Sequence, residues 1–239
     1  MKLAIMQPYL FPYLGYFQLI AAVDTFVVYD DVAFIRRGWI NRNRLNIDGC
    51  ATYFTVPVDD ASQNRLIRET QVQSGQYSHW RRKFFGTIDA WYRRACSYAV
   101  IRPILEAVFL DAERSKDETI ADLARRSLTA VCGYCGIGTR FVDSSTTYDN
   151  AHLHKAARLI DICKREGADV YINAEGGQEL YTKDEFSAQG ISLQFLRSIP
   201  VVYPQPPSKE FIPHLSMIDV MMHNSREQLA QQLKSFEVV

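Results

Sequence analysis

The sequence has no excess of charge of one sign, because its 27 lysines and arginines equal its 27 aspartates and glutamates. A net charge of zero gives no reason to expect a nucleic acid or a membrane surface as a partner. The sequence also lacks an apolar run long enough to span a bilayer. Its five cysteines are odd in number in a chain of 239 residues, which argues against a disulfide framework. We therefore expect a protein of the reducing cytoplasm, without a membrane span.

Several catalytic and metal-binding motifs are missing as well. The sequence contains no GxxxxGKS/T loop, GxGxxG fingerprint, GxSxG elbow or HExxH helix. Cys132 and Cys135 have CxxC spacing, but without a second pair this favours packing at a helix end over a zinc site. His152 and His154 lie two residues apart, so on a helix they cannot face one ligand. Adjacent aspartates at 30–31 could hold Mg²⁺, but acids beside arginines more often form ion pairs. These patterns predict no bound metal.

What the sequence does contain is an alternation of short apolar strands with helices. A strand at 2–6, a helix at 15–23 and a strand at 25–29 match a βαβ unit with a right-handed crossover. Three helical patterns follow one another in the middle of the chain. The other predicted strands lie at 51–57, 139–143, 168–173 and 191–195, and the other predicted helices at 77–95, 101–113, 117–134, 150–166, 215–222 and 226–236.

These elements predict a single α/β domain over residues 1–239. Its sheet should be mainly parallel and doubly wound, with a helical subdomain at about 77–136 inserted into it or appended to it. We expect the strand at 51–57 to pair with a segment near 69–72, and Asp117 to cap the third central helix. Ligands of such sheets bind beyond the carboxyl ends of the strands, so the loops there are the candidate sites.

The first of these loops, QPYLFPYLGY at 7–16, is rich in aromatic residues and prolines. The prolines prevent a regular helix or a central strand. A glycine at the start of the next helix permits close approach of a ligand. On this loop alone, a pocket wall and an aromatic plug packed over the sheet are equally good interpretations. As a pocket wall, the loop would contribute Gln7, Pro8, Tyr9, Phe11, Tyr13, Gly15 and Tyr16.

The second loop, DDVAFIRRGWINRNRL at 30–45, combines arginines with amides and an indole. Arginine forks bind phosphate or carboxylate at two points, and an indole stacks on a base or a sugar ring. The alternative is a solvated surface of arginine–aspartate pairs, but asparagine and tryptophan add nothing to such a surface. As an anion site, the loop would contribute Asp30, Arg36, Arg37, Trp39, Asn41, Arg42, Asn43 and Arg44. Replacing Arg42 or Asn43 by alanine should then abolish ligand binding with little loss of fold stability.

Two further loops follow predicted strands. In DSSTTYDNAHLHK, hydroxyl groups precede a helix N-terminus and make an anion site, although a plain helix cap at Asp149 or Asn150 explains part of the pattern. In NAEGGQELY, a pair of glycines lets backbone amides approach a ligand, although a tight turn would need them too. The residues selected from these loops are Ser144, Ser145, Asn173, Gly176, Gly177 and Tyr181.

Two residues are candidates for a general base. Asp31 follows the second strand, and His79 is the only histidine in the first half of the chain. A surface histidine is the alternative interpretation of His79.

Three blocks of the sequence resemble the WbqC-like family in their order and spacing, and the resemblance covers nearly the whole chain. The blocks are QPYLFPYLGYFQLI, VYDDVAFIRRGWINRNRL and YINAEGGQELY. The tail segment FIPHLSMIDVMMHNS resembles the closing block of the family, in which a serine and an aspartate recur, here Ser216 and Asp219. The resemblance implies a bacterial protein of O-antigen or other surface-polysaccharide biosynthesis.

The resemblance also implies a transferase that adds an acyl or aminoacyl group, such as glycyl, to the amino group of a nucleotide-linked amino sugar. The arginines would hold the diphosphate, Trp39 and the first-loop aromatics would stack on base or sugar, and Asp31 or His79 would take the proton of the amine. The donor would be acyl-CoA, an aminoacyl thioester or an ATP-activated acid, with CoA or a carrier protein as the partner. A non-catalytic sugar-nucleotide-binding or assembly protein is the alternative. Nucleic acid is disfavoured by the zero net charge.

The segment FPYLGYF is also distantly similar to the turn of nucleotidyltransferases with a HIGH motif. Pro12 and Gly15 match that motif, whereas Tyr13 and Tyr16 occupy the places of its two histidines. This likeness implies a nucleotidyltransferase-like sheet of the HUP type, and a nucleotidyltransferase-like enzyme as a second alternative. A tyrosine is a neutral donor with a pKa near 10, so it does not supply the charge that histidine offers to phosphates.

Overall fold

A computed structural model describes residues 1–60, 62, 64–110, 117–207 and 210–239 of the chain. Its strands are β1 (Lys2–Met6), β2 (Thr25–Val28), β3 (Arg42–Ile47), β4 (Cys50–Thr55), β5 (Arg140–Val142), β6 (Val170–Ala174), β7 (Ser192–Ser198) and β8 (Phe236–Val238). Its helices are α1 (Leu14–Ala21), α2 (Ser74–Tyr92), α3 (Tyr98–Val108), α4 (Ile120–Cys135), α5 (Lys155–Glu166), α6 (Lys183–Ser187), α7 (Met217–His223) and α8 (Arg226–Gln232).

The central sheet has the strand order β5-β2-β1-β6-β7-β8 in the described part of the chain. All neighbouring pairs are parallel except β7–β8, which is antiparallel. From β1 the chain moves outward through β2 to β5, and from β6 it moves the other way to β7. The strand order therefore reverses between β1 and β6, which is where open α/β sheets bind their ligands.

Helices cover both faces of this sheet. Successive side chains of each strand point to opposite sides, so each face has apolar side chains that a helix layer buries. Ala4 of β1 and Ile172 of β6 belong to a large apolar core that includes side chains of α1, α2, α3, α4, α7 and α8. Leu3, Ile5 and Tyr171 face the other way and pack with α5 and α6. The predicted α/β architecture with a mainly parallel sheet is therefore confirmed.

The segment predicted as the second half of the arginine loop is a strand instead. Residues of β3 pair with β4 in an antiparallel hairpin, from Arg42 opposite Thr55 to Ile47 opposite Cys50. The turn is Asp48-Gly49, and both residues have positive φ, 53° and 75°. Asp-Gly is a strong signal for such a hairpin turn, although no hairpin was predicted here.

Other predicted boundaries also need correction. The strand predicted at 51–57 pairs mainly with β3. Its expected pairing near 69–72 is limited to the end of the segment and the residues just beyond it, where Val58 bridges Val72 and the Pro57 carbonyl accepts from the Gln73 N–H at 2.9 Å. Thr119, and not Asp117, caps α4, because its side chain accepts a hydrogen bond from the backbone N–H of Asp122. The helix predicted at 101–113 ends at Val108, and its last three predicted residues lie outside the described part of the chain.

The second half of the chain contains two elements that were not predicted, α6 and β8. The helix predicted at 226–236 ends at Gln232, and β8 then adds an antiparallel edge to the sheet. Helix α5 begins at Lys155 rather than 150, so Asn150 is free for another role. No helix within the described residues has the length and apolar character needed to cross a membrane.

Candidate functional site

The loop after β1, residues 7–13, is fixed by side chains from distant segments. The Asn43 side-chain amide donates to the carbonyls of Leu10 (3.1 Å) and Phe11 (2.7 Å). The Ser216 hydroxyl also donates to the Phe11 carbonyl (2.8 Å), and the Phe11 N–H donates to the Ser127 Oγ (3.0 Å). Because Phe11 has a positive φ of 41°, which is unusual for a bulky residue, these bonds are needed to hold its conformation.

The same bonds change the expectation for Asn43. Its side chain is buried and holds two loop carbonyls, so replacing it by alanine removes the donor to the Leu10 carbonyl and one of the donors to the Phe11 carbonyl. Asn43→Ala should therefore cost fold stability as well as ligand binding.

Part of the loop is indeed a plug over the sheet. Tyr16 is buried, and its hydroxyl donates to the Gln7 carbonyl at 2.6 Å. Burial raises the pKa of Tyr16 well above its ordinary value. Phe11 packs against Phe109 with ring centroids 5.5 Å apart, and Pro8 is also buried. The side chains of Phe11 and Tyr16 therefore support the loop and do not face solvent.

The other side of the loop opens into a cavity of about 250 Å³, which we call the aromatic cavity. It is lined by Tyr9, Pro12, Tyr13, Trp39, Asn43, Arg44 and His214. Five of these residues were selected from the sequence, and the fold brings them together from the loop after β1 and from the segment before and within β3. The rings of Tyr13 and His214 meet edge to face with centroids 5.6 Å apart.

Arg44 supplies the positive charge of the aromatic cavity. Its Nη2 donates to the His214 carbonyl at 3.1 Å, and its guanidinium lies 5.5 Å from the Trp39 ring. Its Nε is buried and has no hydrogen-bond partner, and among the described residues Arg44 forms no ion pair with a carboxylate. A cavity-lining cation without a counter-ion among the described residues is suited to binding an anion.

Arg42 supports the cavity from outside. Its Nε donates to the Gly38 carbonyl at 3.0 Å, and its guanidinium lies 4.6 Å from the Tyr53 ring. Tyr53 in turn stacks on Trp39, with centroids 6.1 Å apart, so Arg42 and Tyr53 back the indole that lines the cavity.

Three other residues of the arginine loop lie elsewhere. The Asn41 side chain donates to the Val56 carbonyl at 2.9 Å and closes the β3–β4 hairpin. Arg36 and Arg37 are exposed, and the Arg37 carbonyl accepts a hydrogen bond from Arg42.

The two aspartates after β2 form a separate buried cluster. Asp31 pairs with Arg158 of α5 at 2.5 Å and also accepts a hydrogen bond from Ser145. Asp30 accepts from the Ser144 hydroxyl (2.7 Å) and from the Ser145 N–H (3.2 Å), and burial raises the pKa of Asp30. The aspartates therefore bind the loop after β5 and helix α5, not the arginines of their own loop.

Arg158 completes this cluster. Its Nε donates to the Asn150 side chain at 2.9 Å, and its guanidinium lies 4.7 Å from the Tyr29 ring. Both charges of the Asp31–Arg158 pair are almost fully buried and have hydrogen-bond partners. Asp31 does not line the aromatic cavity, and both of its carboxylate oxygens accept hydrogen bonds within this cluster, which argues against a proton-accepting role there.

Two of the glycines selected from the sequence leave room for a neighbouring side chain. A Cβ on Gly15 would lie 2.6 Å from the Tyr13 ring, so this glycine lets the ring lie over the start of α1. A Cβ on Gly177 would collide with the side chain of Asn173, whose Oδ1 accepts from the Ala174 N–H at 2.8 Å. Gly15 therefore shapes a wall of the aromatic cavity, and Gly177 shapes the turn after β6.

The remaining selected residues do not line the aromatic cavity. Gly176 is exposed in the turn after β6, and Tyr181 packs edge to face on Phe186 with centroids 6.2 Å apart. His79 is exposed on α2.

Sequence reasoning missed two important residues, His214 and Arg158. His214 stands in the tail block that resembles the WbqC-like family, two residues before Ser216, and its proximity to that motif was a usable signal. Arg158 lies between the buried residues Ala156 and Leu159 of α5. A charged residue within the apolar stripe of a helix indicates a buried partner.

Comparisons with known proteins agree with the sequence blocks. The chain matches the model of the WbqC-like protein family over residues 7–231. It is 33% identical over 193 residues to a protein of Mycobacterium tuberculosis, the uncharacterized protein Rv1507c, and the match covers 80% of this chain and 79% of that protein. No solved structure matches the chain.

Proposed function

The chain belongs to the WbqC-like protein family, which is linked to polysaccharide biosynthesis, and from this premise we propose that it is a transferase acting on a nucleotide-linked amino sugar. The reaction adds an acyl or aminoacyl group, with glycyl among the candidates, to the sugar amino group in O-antigen or other surface-polysaccharide assembly. The protein works in the cytoplasm.

The observation that carries this proposal is the aromatic cavity with its unpaired arginine. Arg44 offers a charge-assisted donor to a diphosphate, and Trp39, Tyr9 and Tyr13 offer faces on which a base or a sugar ring can stack. Part of the cavity wall is the loop that follows β1, the strand beside which the strand order of the sheet reverses, and loops at such a point are the general place for nucleotide ligands.

We propose His214 as the group that takes the proton from the attacking amine. It is the only histidine among the described residues that line the aromatic cavity. Asp31 is held by Arg158, and His79 is exposed on α2, so both are weaker candidates. An imidazole accepts protons near neutral pH, which suits an acyl transfer to an amine.

The donor belongs to one of three classes: acyl-CoA, an aminoacyl thioester or an ATP-activated acid. CoA or a carrier protein is accordingly the proposed partner. We also propose the doubly wound HUP-type arrangement for the sheet, which the reversal between β1 and β6 supports. Nucleotidyl transfer itself is less well supported, because Tyr16, in the place of the second HIGH histidine, is buried.

The proposal is tested by titrating the protein with UDP-glucose, GDP-mannose and dTDP-glucose in a calorimeter and in thermal-shift assays. At least one should bind and raise Tm, since a ligand stabilises the folded state by RT ln(1 + [L]/Kd). Arg44→Met should weaken that binding about tenfold or more, the usual effect of losing a hydrogen bond to a charged group.

The matched control is Arg36→Met, which removes an exposed arginine of the same loop outside the cavity and should leave Kd within about twofold. Failure of all three nucleotide sugars to bind, or equal binding by the Arg44 variant, would contradict the proposal.

A non-catalytic sugar-nucleotide-binding or assembly protein is the second candidate. It is favoured by the observation that Asp31 is committed to a structural ion pair. Binding of a nucleotide-linked amino sugar without product formation from any of the three donor classes would select this candidate.

A further inference from the structure

A second cavity, which we call the apolar compartment, lies beside the aromatic cavity and has a volume of about 170 Å³. Its walls include Leu14, Val201, Phe211, Leu215 and Val220. The hydroxyl of Tyr203, which also lines it, donates to the buried carboxylate of Asp219 at 2.7 Å, so its proton is not available to a ligand.

The two cavities share a wall. Tyr13 and His214 line both, and their rings are in edge-to-face contact. His214 has a positive φ of 56°, a conformation that costs free energy in a residue other than glycine. The bond from Arg44 to its carbonyl links that conformation to the cation of the aromatic cavity. The imidazole is therefore held at the junction of a charged cavity and an apolar one.

The size and lining of the apolar compartment limit what it can hold. A cavity of about 150 Å³ is enough for a group the size of benzene, so the compartment accepts a chain of about four to six carbons. An ammonium group placed there would lose most of its hydration, because the lining is mainly apolar and the carboxylate behind Tyr203, Asp219, is already bonded to the hydroxyls of Tyr203 and Tyr92. Arg44, across the shared wall, is itself a cation.

We propose that the apolar compartment binds the acyl group of the donor, while the aromatic cavity binds the nucleotide-linked sugar. This inference rests on the proposed function and sharpens it, because it selects a short uncharged acyl group over glycyl or another aminoacyl group. The donor is a thioester whose carbonyl carbon lies at the Tyr13–His214 junction.

The reaction at that junction is balanced without a further reactant. The amine nitrogen of the sugar forms a bond to the acyl carbon, and the carbon–sulfur bond of the thioester breaks. The sulfur leaves with the bonding electron pair. The proton lost by the amine passes to the His214 imidazole and from there to the departing thiolate.

The test compares pantetheine, S-butyrylpantetheine and S-(β-alanyl)pantetheine as ligands, because this arm is common to CoA and to carrier proteins. Binding is measured by ligand-observed NMR and thermal shift without an acceptor sugar. S-butyrylpantetheine should bind about tenfold more tightly than pantetheine or more, from the burial of its methylene groups. The β-alanyl compound, which carries an ammonium at its end, should show no such gain.

Val201→Phe fills the apolar compartment and should abolish the gain, while binding of UDP-glucose, GDP-mannose and dTDP-glucose should not change. Val202→Phe is the matched control, because the neighbouring Val202 is 72% exposed and does not line the compartment. The comparison of ligands on the unaltered protein decides the question even if Val201→Phe fails to fold.

The outcomes separate this inference from the proposed function. If a nucleotide sugar binds but the butyryl group adds no affinity, or the β-alanyl group adds as much, the apolar compartment is not an acyl site. If the butyryl preference is present but no nucleotide sugar binds, the acyl site stands and the proposed acceptor is wrong. Retention of the butyryl preference by Val201→Phe would place the acyl group elsewhere and overturn the inference.

Discussion

At the scale of single residues, the difference between a structural charge and a binding charge is whether the protein already supplies its partner. Arg158 and Asp31 neutralise each other in the interior and make further hydrogen bonds to Asn150 and Ser145. Arg44 has no such partner within the described chain, and one of its donors is unused. The same amino acid therefore stabilises the fold at one strand end and is ready for a ligand at another.

The buried pair gives a direct prediction for stability. Arg158→Met removes one charge and leaves the Asp31 carboxylate buried without a counter-ion. The free energy of unfolding should fall by about 3–5 kcal/mol. Urea denaturation followed by circular dichroism measures this change.

Two further variants make the test specific. The double variant Asp31→Asn/Arg158→Met should recover part of the loss, since it leaves no isolated charge. Arg165→Met removes a half-exposed partner of Asp161 on the same helix and should cost less than about 1 kcal/mol. Equal losses of unfolding free energy from Arg158→Met and Arg165→Met would show that the buried Asp31–Arg158 pair contributes no more to stability than the half-exposed pair.

At the scale of elements, the sequence predicted those parts whose pattern is local. The units β1, α1 and β2 are short apolar runs separated by turn residues, and all three form as expected. Strand β3 was missed because two of its buried residues are asparagines. Asn43 bonds the loop after β1, and Asn46 bonds the Gln205 carbonyl at 2.9 Å. An asparagine in a sequence is typical of a loop, and only its distant hydrogen-bond partner shows that it is a buried strand residue.

The aromatic cavity was only partly predictable, because some of its residues stand in local patterns and others come from distant segments. The aromatic residues and Arg44 lie in the segments 7–16 and 30–45, whose composition is unusual for loops. His214 comes from the far end of the chain, and nothing in its immediate neighbours shows that it will lie against Tyr13. Arg42 and Arg44 lie two residues apart in β3 and therefore on the same face of the hairpin. Only their distant partners separate their roles, Gly38 and Tyr53 for Arg42 and His214 for Arg44.

Helix α7 carries a residue whose titration should affect stability. His223 lies in its last turn, beside the Tyr92 ring at 5.6 Å, and burial lowers its pKa from the usual 6.5 despite the opposing effect of Asp219. The unfolded chain therefore takes up this proton at a higher pH than the folded chain. The free energy of unfolding should consequently fall as the pH decreases from about 6.5 towards the folded-state pKa.

Urea denaturation at about pH 7.5 and about pH 5.5 measures this effect. His223→Gln removes the titrating group, so the variant should lose less stability than the unaltered protein between the two pH values. His79→Gln, at an exposed histidine of α2, is the control and should keep the pH dependence of the unaltered protein. A His223 variant with an unchanged pH dependence would show that this imidazole stays neutral or charged in both states.

At the scale of the whole molecule, the central helices and the sheet share one core. Phe84 of α2, Ile101 of α3 and Leu128 of α4 belong to the same apolar cluster as Ala4 and Phe26 of the sheet. Hydrogen bonds also join the helical segment to the rest of the chain. The Phe11 N–H donates to Ser127 of α4, and the Tyr92 hydroxyl of α2 donates to Asp219 of α7 at 2.6 Å. We therefore propose that the helical segment is part of a single domain over residues 1–239 and not an independent folding unit.

Such a domain should unfold in one cooperative transition. In a Trp39→Phe background the remaining tryptophans, Trp80 and Trp91, both lie in α2, so their fluorescence reports on the helical segment alone. Circular dichroism reports on the whole chain, and the two signals should give the same urea midpoint.

The decisive comparison places a substitution on the opposite side of the sheet. Leu159→Ala in α5 removes a buried side chain of the other core and should lower stability by about 2–5 kcal/mol. If the chain is one cooperative unit, the fluorescence midpoint of α2 must fall by the same amount as the dichroism midpoint, and Leu128→Ala in α4 must do likewise. If Leu128→Ala lowers the fluorescence midpoint but Leu159→Ala leaves it unchanged, the chain contains two folding units. In that case α2 keeps its stability when the far face of the sheet is weakened.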